Sequence, residues 1–335
     1  MARRFVLLYA CRMRRLVPFL LLLLFLRPAF AADAGDFGAW LRGMRHDAMA
    51  QGITVATLDR AFAGVSPIPR IIELDHSQPE TTLTFAQYIE RVVPPARREA
   101  AHQHYLENKP LLDEIGRRYG VQPRYIVALW GIETNFGQRI GTYPVISALA
   151  TLAYDGRRAA FFRRELINAL RIIQDDKIDP ETMVGSWAGA MGQSQFMPSS
   201  FLAFAVSYSG KAAPDIWNRK DDVFASIANY LSRSGWHGDQ PWGEAVTPPA
   251  TLDSSLIGPG QKKAVAEWAA LGVRRADGNA LPAAAPAAQL RASLIQPGGS
   301  DGPSFLVYDN FSVIMRWNNS SYFAVAVGDL ADSVD

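Results

Sequence analysis

Glu133 is the residue whose setting points most directly to chemistry. It lies in the run Arg124-Tyr-Ile-Val-Ala-Leu-Trp-Gly-Ile-Glu-Thr-Asn-Phe-Gly137. On a helix it shares a face with Ile126, Leu129 and Trp130, which precede it by seven, four and three positions. A carboxylate on an apolar face is uncommon unless it is paired or functional. Gly137 reads as a helix stop, so Glu133 falls in the last turn, where the helix dipole disfavours a further negative charge. Burial and dipole then push the same way, toward a raised pKa and a neutral carboxyl group. A general acid that protonates a leaving oxygen needs that property. The alternative is a buried glutamate neutralised by an arginine, with Arg157 and Arg139 as the candidates.

A second constellation is Ser186-Trp-Ala-Gly-Ala-Met-Gly-Gln-Ser-Gln-Phe-Met-Pro-Ser-Ser200. Gly185, Gly189 and Gly192 allow close backbone approach. Gln193 and Gln195 carry amides that both donate and accept, which suits sugar hydroxyls and N-acetyl groups. Read alone, the segment is also compatible with a glycine-rich turn leading into a helix at Pro198. Aromatic residues (Trp187, Tyr208, Trp217, Tyr230, Trp236, Trp242 and Trp317) are spread along the chain. Such faces stack on sugar rings, but most are expected to be ordinary core, with one or two touching ligand. His102-Gln-His104 lacks further ligands at zinc spacing and reads as a surface pair.

The elements that must position these residues are mainly helical. From Phe37 to about Pro110 the apolar spacing is helical, broken at Ser66–Pro69 and Gln78–Thr81. Helices are then predicted over 111–119, 123–135, 147–154, 159–174, 198–208 and 221–232, with Pro123 and Pro198 in first turns. After Pro241 glycine and proline cluster. Leu281 to Ala288 reads as a surface loop and Ser304 to Arg316 as strand-like, and Ser320 caps a last helix through Leu330. The predicted division is residues 1–31 as a leader, 32–110 as an N-terminal α region, 111–247 as a core, and 248–335 as a small α+β region with a terminal helix.

Charge narrows the function classes. The 34 basic and 32 acidic side chains give +2, but residues 1–31 hold six arginines and no acid, so the remainder carries 28 against 32, or −4. A nonspecific nucleic-acid binder should be basic, which removes that class. The single cysteine, Cys11, lies in the same segment, so the rest of the chain has neither a disulfide nor a thiolate. Arg12, Arg14 and Arg15 precede an 11-residue apolar run, Leu16–Leu26, followed by Ala29-Phe30-Ala31. This reads as an export signal cleaved before Ala32, starting at Met1 or Met13, because the run is short of the ~20 residues that span a bilayer. Lipidation at Cys11 is the alternative, and no transmembrane anchor is expected in the mature chain.

Taken together the motifs resemble the lytic murein transglycosylase B family, glycoside hydrolase family 103. The resemblance runs from Gly131-Ile-Glu-Thr-Asn-Phe-Gly137 through Tyr143 to Arg158, Ser186 to Ser200 and Ala225 to Tyr230. It ends with Phe305 to Phe311 and Trp317 to Gly328, and covers roughly 37–332. It implies a mainly α fold: a lysozyme-like helical core, an N-terminal α region and a small C-terminal β-containing region. It implies a periplasmic enzyme that cleaves the MurNAc-β-1,4-GlcNAc bond of peptidoglycan and leaves 1,6-anhydromuramoyl ends. A hydrolytic muramidase and a non-catalytic wall-binding protein are the alternatives. Glu133 would be the single acid/base, and no carboxylate nucleophile is needed because the substrate's acetamido group stabilises C1, a departure from the usual carboxylate pair. Ser186 and Gln195 would contact the acetamido and peptide-bearing sugar, and Tyr230 would line the groove. Arg157 and Arg158 would lie near the peptide or lactyl carboxylate, and Trp317 and Asn318 on the groove's C-terminal side. The partners implied are glycan strands and cell-wall synthases.

The family often carries a calcium loop where this chain has Val206 to Trp217. With Ser207, Ser209 and Lys211 at the ligand positions and only Asp215 and Asp222 as acids, no calcium site and no cofactor are expected. Phe323 stands where many relatives have tyrosine, which removes one hydroxyl.

Overall fold

The computed structural model describes residues 34–77, 83–176, 178–210 and 213–334. The leader read over residues 1–31, with Cys11 and Met13, lies outside these, as does Lys211. No helix among the described residues is long and apolar enough to cross a membrane.

Four helices open the chain: α1 (Ala34–Ala50), α2 (Val55–Ala61), α3 (Pro69–His76) and α4 (Phe85–Val92). Their starts follow local chemistry. The Thr54 side chain accepts from the Thr57 N–H, proline opens α3, and Thr84 with Gln87 forms a capping box on α4. Next come α5 (Pro95–Tyr119) and α6 (Pro123–Thr134), joined by Gly120 in the left-handed region at φ 66°. The predicted boundary at residue 110 does not exist as a break, because α5 runs straight through Pro110. Packing overrides the helix-breaking tendency of an interior proline there: Ala101, Leu112 and Ile115, on either side of it, are all buried.

Helix α6 is the axis of the core. Every residue from Tyr125 to Gly131 is buried, so it is apolar all round. Helices α5, α10 (Lys220–Arg233) and α13 (Ser321–Ala331) pack against it. Helices α7 (Val145–Asp155), α8 (Ala159–Asp175) and α9 (Pro198–Phe204) continue the same core. Strands β1 (Tyr143–Pro144) and β2 (Val184–Gly185) form a two-residue antiparallel pair that leads into the glycine-rich loop.

A second, smaller core lies under an antiparallel five-stranded sheet of order β4-β6-β7-β3-β5. Its strands are β3 (Gly243–Thr247), β4 (Lys262–Ala264), β5 (Arg274–Arg275), β6 (Arg291–Ile295) and β7 (Ser304–Val307), with α11 (Val265–Ala270) between β4 and β5. Trp268 anchors this core, its indole N–H donating to the Ala292 carbonyl at 2.9 Å. The strand reading of Ser304 to Arg316 is half correct: β7 ends at Val307, and α12 (Asp309–Trp317) takes over. The amphipathic face of Phe311, Ile314 and their neighbours was hidden in the sequence by the apolar strand before it. Helix α13, capped as expected by Ser320, returns to the main core, so the C-terminal segment serves both cores.

Candidate active site

Glu133 sits in the last turn of α6 and is half-buried. The helix ends at Thr134, one residue short of the predicted 135. Asn135, Phe136 and Gly137 then take three successive left-handed conformations, at φ 51°, 59° and 82°. Two glycines make this reversal possible. A Cβ on Gly131 would come within 2.6 Å of the Phe136 ring, which folds back onto α6, and one on Gly137 would come within 2.4 Å of Gln193 Oε1. Thr134 ties the turn down: its hydroxyl donates to the Gln193 carbonyl at 2.9 Å and accepts the Gly137 N–H at 3.0 Å.

The indole N–H of Trp317 donates to Glu133 Oε1 at 2.7 Å. Trp317 closes α12, 184 residues along the chain from Glu133. Its ring packs 4.6 Å from Tyr230 and 5.2 Å from Phe196, centroid to centroid. The Tyr230 hydroxyl donates to the Arg316 carbonyl at 2.8 Å and so holds the backbone just before Trp317. Three elements, α6, α10 and α12, thus converge with the glycine-rich loop on one carboxyl group. Arg157, one of the two arginines considered for it, pairs with Asp75.

The glycine-rich loop folds on itself. Ser186 and Ala190 exchange backbone and side-chain bonds at 2.8 and 3.1 Å, and Met191 and Phe196 pair in both directions at 2.8 and 3.1 Å. The two glutamines take different roles. Gln193 is buried and bonded at both ends of its amide: Oε1 accepts from the Trp130 indole at 2.8 Å, and Nε2 donates to the Trp217 carbonyl at 2.7 Å. It braces the loop against α6, and the sugar contact expected of it is replaced by these internal partners. Gln195, half-buried at φ 49°, donates through Nε2 to the Ile140 and Gly192 carbonyls, at 3.1 and 2.8 Å. Its Oε1 accepts no hydrogen bond from a described residue.

Asn318 caps α12 beside Trp317 and is exposed. Arg157 and Arg158 hold a carboxylate of the protein itself. Both pair with Asp75 of α3, which is fully buried, and so pin α3 to the turn between α7 and α8. His102 and His104 lie on α5, bonded to the Val334 carbonyl and to Glu107. Phe323 is buried on α13. Trp217, Trp236 and Trp242 each spend the indole N–H on an internal acceptor, as core residues do.

The acids in and beside the segment from Val206 to Trp217 are taken up by the backbone. Asp222 accepts the Tyr208 and Asp215 N–H groups on its two oxygens, and Asp215 accepts those of Trp217 and Asn218. Calcium needs several carboxylate oxygens turned toward it, whereas these are turned to backbone donors that close the loop.

What the sequence did not reveal is the Trp317–Glu133 bond. No local pattern encodes a contact across that separation.

The transglycosylase SLT domain matches residues 36–332 of the chain. Membrane-bound lytic murein transglycosylase B of Escherichia coli (strain K12) is 35% identical over 228 residues, which are 67% of this chain and 60% of that protein. The chain therefore spans less than two thirds of that relative's length. Among solved structures, SltB3 from Pseudomonas aeruginosa in complex with NAG-anhNAM-pentapeptide is 44% identical, with a TM-score of 0.85 over 89% of this chain and 79% of that one. The Escherichia coli lytic transglycosylase Slt35 in complex with calcium is 27% identical, with a TM-score of 0.73 over 90% of this chain and 93% of that one.

Proposed function

The chain belongs to the transglycosylase SLT domain family, and on that premise we propose that it is an exported peptidoglycan lytic transglycosylase acting in the periplasm. The observation that carries the proposal is the 2.7 Å bond from the Trp317 indole to Glu133 within the aromatic cluster of Trp317, Tyr230 and Phe196. Trp317, half-buried, is the ring of that cluster within reach of a sugar, and Tyr230 and Phe196 are buried behind it. The similarity to SltB3, solved with a muropeptide carrying an anhydro sugar, supports the same substrate class.

The proposed reaction needs one carboxyl group used twice. With Oε1 held by Trp317, Oε2 of the protonated Glu133 donates its proton to the glycosidic oxygen. The C1–O bond breaks, the GlcNAc unit leaves with that proton, and the muramoyl acetamido oxygen stabilises positive charge at C1. The Glu133 carboxylate then takes the proton of the C6 hydroxyl as that oxygen closes onto C1. The carboxyl group is restored and no water is consumed. Gln195 Oε1 is assigned to accept an N–H or O–H from the sugar, with Ser186 and Asn318 at neighbouring positions.

Mass spectrometry of digested sacculi tests this. Products one water lighter than their hydrolytic counterparts, with anhydro ends, are expected. Reducing ends alone would make the protein a muramidase on the same scaffold.

A further inference from the structure

An open, cationic groove runs between α1 and α8 and shares no lining residue with the Glu133 site. Its cavity holds about 620 Å³, within the ~300–1,000 Å³ of ordinary small-ligand sites. The lining follows from two helical stripes. On α8, residues 160, 163, 164, 167, 168 and 171 recur at helical spacing, opposite the core-facing stripe of Leu166, Leu170 and Ile173. Met44, Asp47 and Ala50 on α1, and Gln51 just past its end, face them.

Charge is the unusual feature. Arg163, Arg164 and Arg171 stand against a single carboxylate, Asp47, so the groove carries +2 in a chain whose residues from 32 onward sum to −4. Arg163 pairs with Asp47 across the groove. Arg171 makes only long contacts, 3.4 Å to Asn168 and to Gln51, and Arg164 is exposed with no partner among the described residues. The floor is apolar: Met44 and Ile167 are buried between the helices.

We propose that this groove binds the carboxylate-bearing peptide stem of peptidoglycan, as an anchoring site separate from the one that cleaves the glycan. The inference rests on the proposed substrate class. Guanidinium groups take carboxylates in paired hydrogen bonds, the apolar floor takes alanine methyl groups, and the volume fits a short peptide rather than a protein face. The chain's own leader does not fit, because residues 1–31 hold six arginines and no acid.

The test titrates a free stem pentapeptide into full-length mature protein and into Arg164→Gln/Arg171→Gln, with binding mapped by amide chemical shifts. Expected are shifts on α1 and α8, binding about tenfold weaker in the variant and weaker with added salt. Cleavage of stem-free glycan, which reports on the catalytic reading alone, should be unchanged in the variant, while release from intact sacculi should fall at least about threefold, as loss of an anchor requires. Equal affinity in the variant, or shifts confined to residues around Glu133, would overturn the proposal. So would binding of polyglutamate, but not the pentapeptide, at the groove, since that outcome points to an acidic protein partner.

Discussion

At the scale of single residues, the site turns on how one carboxyl group is held. Trp317 reaches Glu133 only because Tyr230 fixes the Arg316 carbonyl, and Phe196 with Tyr230 fixes the plane of the indole. Trp317→Phe keeps a ring in that cluster and removes the N–H. A hydrogen bond to a charged group is worth roughly 1.5–3 kcal/mol, so kcat should fall about 10- to 100-fold while KM changes little. Steady-state kinetics on soluble glycan strands checks this, and an equal fall in affinity would assign Trp317 to sugar binding instead. The identity and helical placement of Glu133 were legible in the sequence, because a carboxylate on an apolar stripe is a local anomaly. Its partner was not, because the contact depends on how α12 docks against α6.

Elements explain why the neighbouring glutamines part company. The loop between β2 and α9 is closed by its own backbone pairs, and Gln193 then fastens it to Trp130 of α6 and to the Trp217 carbonyl. Gln193→Leu leaves a buried indole N–H and a buried carbonyl without their partners, each costing about 1–3 kcal/mol. The melting temperature should drop by several degrees, and Gln195→Ala, whose side chain is half-exposed, should lose substrate affinity with little change in melting. Thermal melts beside KM values separate the two roles; a Gln193 variant as stable as wild type would return that residue to ligand binding. Sequence alone marked both amides as sugar-binding candidates because composition does not tell which amide is buried. The same limit applies to Arg157 and Arg158, whose acidic partner lies on α3, more than 80 positions earlier. Most helices, by contrast, were readable to within a few residues from apolar spacing and capping. The misreadings fall at Pro110, where packing outweighs a local signal, and at Ser304 to Arg316, where a strand runs almost directly into a helix.

For the whole molecule, the two cores share β6 and β7, and α12 and α13 then pack in the helical core that holds Glu133. Three buried tyrosines tie this body together. Tyr125 is pushed up to about 12 by burial, and burial also raises Tyr230 and, together with its bond to Glu244, Tyr308. Each holds its proton longer in the folded state than at the ordinary value of 10.0. The folded state therefore binds more protons above that pH. The stability these groups contribute is complete below pH ~10 and is lost as the pH rises toward ~12 and beyond. Denaturant midpoints should fall steadily over that window, and Tyr308→Phe should flatten the slope; an unchanged slope would mean that Tyr308 titrates normally. The most direct measurement is the turnover of Glu133→Gln on purified sacculi, beside its melting temperature and sacculus binding. Glutamine keeps the shape and the bond from Trp317 but cannot deliver a proton, so anhydromuropeptide release should fall about 10²- to 10⁴-fold with folding and binding intact. Release within threefold of wild type would contradict the assignment of Glu133 as the acid and base of this enzyme.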